Sequence, residues 1–225
     1  MHEDRSQAKL RKFVKGVANT ILVIGTVGWF GGFLLAIWPG LVPTWVELPL
    51  GDLQSVAVDS SGRIYCALGS YGRVQVYSSR GEFERGWSDG LLPSGMELRI
   101  DSDDRLEVFV SKKHKRCVFT SDGKLLQETS LPLEEFTKQR NQVSRQCRDS
   151  AGAGYFIRNT ILFPHITKRD TNGREITIVC APIYKWPFTA PMPAWFFFMG
   201  GILLHFLSER FGKLFPGHRS PASQT

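Results

Sequence analysis

Residues 56–83 read VAVDSSGRIYCALGSYGRVQVYSSRGEF. Short apolar runs alternate with polar residues and are punctuated by Ser, Asp and Gly, which predicts three strands joined by tight turns. A fourth strand opens in EFERGW, residues 82–87. Asp59 sits where its side chain can bond the backbone that follows it, and Gly62 and Gly81 supply the positive φ of tight hairpins. The alternation in RVQVYS, residues 73–78, sends one set of side chains to each face of the sheet. A single four-stranded meander cannot bury both of its faces, so its packing partners must lie elsewhere in the 225 residues.

Two further segments repeat the pattern. Residues 97–128 read ELRIDSDDRLEVFVSKKHKRCVFTSDGKLLQE, and residues 144–179 read SRQCRDSAGAGYFIRNTILFPHITKRDTNGREITIV. In each, an aspartate closes the first strand (Asp59, Asp101, Asp149) and a glycine closes the last turn (Gly81, Gly123, Gly173), 22, 22 and 24 residues later. The second repeat has Asp104 where Gly62 stands in the first. Self-similarity at about 40–50 residues marks propeller-type arrays. The first repeat in particular resembles an NHL-type β-propeller blade, and the three together span 53–179. That resemblance implies a mainly β fold, a propeller-like array of four-stranded antiparallel sheets, and a closed ring of about six blades. With three repeats two arrangements stand open. Two chains pair half-rings, or one chain forms an open β-domain whose edges are covered by residues 41–51 and 181–188. Between the second and third repeats, residues 131–145 contain helix formers with Glu134 and Glu135 in a first-turn position, predicting a short helix or long loop.

The mean hydropathy of −0.14 hides two apolar runs. Residues 17–38, VANTILVIGTVGWFGGFLLAIW, carry no charge and are long enough to cross a bilayer as a helix. No small-residue cleavage site follows, so an uncleaved anchor is expected. The second run, PAWFFFMGGILLHFL at 193–207, is shorter. With its approach it is expected as a second span over 191–208, with Trp186 and Trp195 at the interface. The segment before the first span carries +3 and the segment after the second +2 of the formal +7. The positive-inside rule then puts both tails (1–16 and 209–225) in the cytoplasm and residues 39–190 across a plasma or inner membrane. The pI of 9.4 is accounted for by topology, and a nucleic-acid partner is not expected.

Candidate sites are few. Gly28 and Gly32 form a GxxxG step with Gly25 and Gly31 nearby, and Gly200 and Gly201 lie in the second run. Small residues of this kind let helices approach closely in lipid. The run KKHKR offers Lys112, Lys113, Lys115 and Arg116 at a hairpin turn, where they can meet anionic headgroups or an acidic partner. Cys66, Cys117, Cys147 and Cys180 show no metal-ligand spacing. Their repeat positions put Cys147 and Cys180 on opposite edges of one sheet, so buried free thiols are expected. Asp101, Asp103 and Asp104 lack the downstream glycine and glutamate of a calcium loop. His205, inside the second apolar run, is a candidate by position alone. No nucleophile elbow, phosphate loop or metal motif is present, so no catalytic residue, cofactor or metal is expected. The sequence reads as a membrane-tethered recognition or assembly module, with the bilayer and a protein partner or second copy as its contacts. The alternatives are an accessory subunit of a membrane complex and an enzyme acting at the central face of the array.

Overall fold

A computed structural model describes residues 2–37, 42–88, 91, 94–141, 146–149, 151–158, 164–180 and 191–214. The order is α1 (His2–Ile37), then β1 (Leu53–Val58), β2 (Ile64–Leu68), β3 (Arg73–Tyr77) and β4 (Phe83–Trp87). Next come β5 (Met96–Ile100), β6 (Leu106–Val110), β7 (Lys115–Phe119), β8 (Leu125–Ser130) and α2 (Leu133–Asn141). The last described elements are β9 (Gln146–Arg148), β10 (Gly154–Arg158), β11 (His165–Arg169), β12 (Glu175–Cys180) and α3 (Pro191–Leu214). The twelve strands form three four-stranded antiparallel meanders, β1–β4, β5–β8 and β9–β12, as the repeats predict.

The turns form for the reasons legible in the sequence. Asp59, Asp101 and Asp149 each accept from the main-chain N–H four residues on, at 2.9 Å in all three turns. Asp170 does the same for Arg174 at 2.8 Å. Gly62, Gly81, Gly123, Gly152 and Gly173 have φ between +82° and +84°. Asp104, which replaces the first-turn glycine in the second sheet, takes φ +57°, a conformation that Asp tolerates better than most side chains. Its carboxylate also receives the main-chain N–H of Ser60 (3.0 Å) and the Ser60 hydroxyl, stitching the first two sheets together at their turns.

The sheets do not stack in chain order. The first sheet lies in the middle, with β1 packed against β5 on one side and against β9 and β10 on the other. Leu53, Val56, Val58, Ile64, Cys66 and Leu68 pack with Tyr155, Ile166 and Val179 of the third sheet. Ala57, Tyr65, Ala67, Val74 and Val76 pack with Met96, Leu98, Leu106, Val108, Cys117 and Phe119 of the second. Burial falls from the inner strands outward: every residue of β2, β3 and β6 is buried, whereas most of β8 and β12 is exposed.

Residues 42–50 cover part of the first sheet, as the sequence suggested for 41–51. Val42, Leu48 and Leu50 are buried in the same core as the third sheet. The other proposed cover, 181–188, lies outside the described residues, as does Trp186. The predicted linker helix is present as α2, whose Phe136 packs edge-on against Phe109 at 6.2 Å.

The first apolar run belongs to a longer helix than expected, since α1 continues through the basic residues to His2. Within it Lys12–Gly31 is long and apolar enough to cross a membrane. The apolar stretch of α3, Trp195–Leu207, is shorter than a span. α1 and α3 pack along each other.

Candidate functional site

The helix pair is antiparallel. Gly201 lies beside Leu22, and Gly25 beside Phe198, so α3 numbers fall as α1 numbers rise. A Cβ at Gly25 would stand 2.3 Å from the Phe198 nitrogen, and one at Gly201 would stand 2.8 Å from the Leu22 Cα. Trp29 stacks on Phe198 with ring centroids 6.0 Å apart. Of the glycines singled out from sequence, Gly201 is therefore in the contact and Gly28 is buried, while Gly200 has nothing within 4 Å of its added Cβ. Gly32 lies on α1, and its surroundings are outside the described residues. Gly25, noted only as a neighbour of the GxxxG step, makes the tightest approach. The opposite face of the pair exposes Phe13, Val23, Val27, Phe30, Phe196, Leu203 and Phe206.

The segment leaving α1 is fixed to the first sheet by three side chains of β3 that sequence reasoning passed over. Arg73 is 1% exposed and donates to the carbonyls of Val42 (3.1 Å), Pro43 (2.9 Å) and Val46 (3.0 Å). Gln75 receives the Leu48 N–H (2.5 Å) and donates to the Leu48 carbonyl (3.0 Å), standing in for a neighbouring strand. Tyr77 donates to Glu47 at 3.2 Å. Gly86 leaves the space that the Arg73 guanidinium fills, since a Cβ there would stand 2.8 Å from it. Burial lowers the Arg73 pKa, but the group stays charged at any ordinary pH.

The two outer faces of the stack are closed by charge. On the second sheet Glu107, almost fully buried, is held between Arg99 (Nε to Oε2, 2.6 Å) and Arg116 (Nε to Oε1, 3.1 Å), and Arg99 lies over Phe109. On the third sheet Glu175 is gripped by Arg158 (2.8 Å) and Arg169 (2.9 Å), and both guanidiniums lie over Phe156 at 5.8 and 5.0 Å. Arg169 and then Arg158 hold the Glu175 carboxyl below its ordinary range.

The basic turn divides in two. Lys115 pairs with Glu128 and Arg116 with Glu107, so both serve the second sheet itself. Lys112 and Lys113 form a 3-10 turn with Ser111, are exposed, and make no ion pair among the described residues. Between the sheets, a cleft of about 550 Å³ is lined by Asp52, Gln54, Glu97, Arg140, Phe156 and Arg158 among others. Its polar groups are engaged: Asp52 receives Ser70 N–H and hydroxyl at 2.6 and 2.7 Å, Gln54 receives Met96 N–H at 2.7 Å, and Glu97 pairs with Arg140 at 2.8 Å.

Among the described residues no three His, Cys, Asp or Glu side chains gather as a metal site. Asp101 caps its turn, Asp103 pairs with Arg105, and Asp104 bonds Ser60. All four cysteines are free, but the expected burial holds only for Cys66 and Cys117: Cys147 on the edge strand β9 is half-buried, and Cys180 at the end of the edge strand β12 is exposed. Burial pushes the Cys117 and Cys147 thiols up to about 11 and about 12.

No protein-family model and no curated protein matches this sequence. Solved structures that resemble it include a catalytically inactive virginiamycin B lyase from Staphylococcus aureus with quinupristin. That structure shows 13% identity and a TM-score of 0.35, covering 63% of this chain and 45% of the lyase. A streptogramin B lyase structure gives 10% identity and a TM-score of 0.33 over 64% of this chain and 46% of the other. Hydrazine synthase from Kuenenia stuttgartiensis gives 12% and 0.33 over 60% and 37%. The chain thus matches less than half the length of each of these proteins, and none of their activities is carried over to it.

Proposed function

We propose that the protein is a membrane-tethered, non-catalytic recognition or assembly module, with α1 and α3 as a two-span anchor and an NHL-like β-domain on the extracytoplasmic side. The observation that carries this is the antiparallel α1–α3 pair. It brings the basic segment of α1 level with the end of α3 and leaves the β-domain at the other end, while its outward face is apolar. α1 rises about 54 Å and α3 about 36 Å, against a hydrocarbon core of about 30 Å. Backing by α1 supports a spanning role for the short apolar stretch of α3. The non-catalytic part is supported by the engagement of the cleft's carboxylates in turn and ion-pair contacts.

The test uses the native exposed thiol. A membrane-impermeant maleimide is expected to label Cys180 in intact cells and not in the Cys180→Ser variant, while a reporter fused after Ala222 reads cytoplasmic. Labelling only after lysis, or release of the protein by alkaline carbonate, sinks the reading. A role as accessory subunit of a larger complex is favoured by a shallow groove of about 360 Å³ along Lys12, Gly16, Val17 and Thr20 of α1, which α3 leaves open.

A further inference from the structure

The strand turns of the β-domain gather at two ends, and the structure fixes which one faces the helices. The Gly69–Tyr71 turn, between β2 and β3, touches α1. Gly69 also accepts from Ser94 N–H (3.0 Å), and Gly95 accepts from Ser111 N–H (2.9 Å). This run of bonds sets the Ser111–Lys113 turn of the second sheet beside the Gly69–Tyr71 turn of the first, at the same end. Arg73, which opens β3 at that end, holds the segment that leaves α1. That segment also carries Trp45, 76% exposed. The turns at the opposite end carry Asp101, Asp103, Asp104, Asp122 and Asp170 together with Arg63, Arg80, Arg105, Lys124 and Arg174.

We infer that the Lys112–Lys113 turn is a second, electrostatic membrane contact, binding the headgroups of anionic phospholipids on the extracytoplasmic leaflet. The inference rests on the membrane-anchored reading above. Three features carry it. The turn sits at the helix-proximal end. Its two lysines are exposed and outside the ion pairs that use up Lys115 and Arg116. An exposed tryptophan stands at the same end, and tryptophan is enriched at lipid interfaces. Paired sheets lie about 10 Å apart, so the second sheet is one sheet-width from the anchor and within reach of the surface. Each lysine held at an anionic surface is worth on the order of fivefold in local association. The pair would thus hold the domain in one orientation on the bilayer.

The test uses the full chain in vesicles, in a Cys180→Ser background whose remaining thiols are buried or only partly exposed. A fluorophore is placed at Ser111→Cys, beside the two lysines and leaving both in place, at Asp122→Cys on the far end, and at Val23→Cys on α1. The Ser111 label is expected to be quenched by a headgroup-attached quencher about threefold or more over the Asp122 label in vesicles with about 30% phosphatidylglycerol. The excess should shrink in phosphatidylcholine alone, at about 0.5 M salt, where the Debye length falls to a few ångströms, or in the Lys112→Gln/Lys113→Gln variant. Equal quenching at Ser111 and Asp122, with the Val23 label quenched by mid-chain lipid quenchers, overturns the proposal while leaving the anchor intact. Absence of quenching at Val23 instead overturns the anchor itself. A Ser111 label shielded in native membranes but free in anionic vesicles also overturns the proposal, in favour of an acidic protein partner.

Discussion

The carboxylate of Asp59 is almost fully buried, yet five donors converge on it: the Ser61 and Arg63 N–H groups, the Ser61 hydroxyl, the Arg63 guanidinium and the Tyr65 hydroxyl. Burial alone would raise its pKa, but these bonds together hold it below the ordinary 3.8. Asp149 repeats the arrangement with Ala153, Tyr155 and Lys168, and is likewise lowered. Because both folded values lie below those of the unfolded chain, the unfolded chain takes up protons first as pH falls. Their contribution is complete well above pH 3.8 and is lost as pH drops through the folded values. Asp59→Asn is expected to cost about 1–3 kcal/mol at neutral pH, since it leaves buried donors poorly satisfied. It should also flatten the acid limb of stability. Urea unfolding at a series of pH values between neutral and strongly acid checks both. An unchanged acid limb would mean that other carboxylates carry it.

At the scale of elements, two contacts decide how the parts are joined. Leucine at Gly25 or Gly201 would drive a side chain into the main chain of the other helix, whereas leucine at Gly200 enters open space. The first two substitutions are expected to separate α1 from α3, and the third to leave them together. Distances between spin labels near the helix ends distinguish the outcomes. Arg73→Met removes three bonds to residues 42–46 while keeping much of the side chain's bulk. It should free the strap, so that proteolysis near Trp45 rises tenfold or more while the sheets stay folded. Global unfolding in place of local cutting would show that the strap belongs to the core. Turns, strands and repeats were legible because Asp–Gly chemistry and period-two alternation act over a few residues. The strap contact was not, because Arg73, Gln75 and Tyr77 in RVQVY have the pattern of a solvated sheet face. Only the return of residues 42–50 across that face buries them. Gly25 was passed over for the same reason: a GxxxG spacing names a face of one helix, and the partner's approach chooses among its glycines.

At the scale of the whole molecule, the sequence left open whether the array is completed by a second chain. Both outer faces end in an Arg–Glu–Arg group over a phenylalanine, and on each the arginines outnumber the glutamate. Two such faces brought together would set like charge against like, and α2 already covers part of one. These faces behave as the polar caps of a stacked array. The detergent-corrected mass by light scattering is accordingly expected to be that of one chain at all dilutions. A stable dimer that survives Glu175→Arg would show that the association runs through the helices, and one abolished by it would restore ring closure through the sheets. The order of the stack was invisible in the repeats, since three similar meanders do not say which one the other two pack against.

That order has a consequence for biogenesis. The wall made by Val56, Val58, Ile64 and Cys66 is sheltered by a sheet that the ribosome delivers about ninety residues later, after the second sheet and α2. Until then the nascent protein displays an oily surface beside α1, and the shelter arrives only just ahead of α3. A chaperone or a quality-control protease would therefore read one thing above all: whether translation has reached the third sheet.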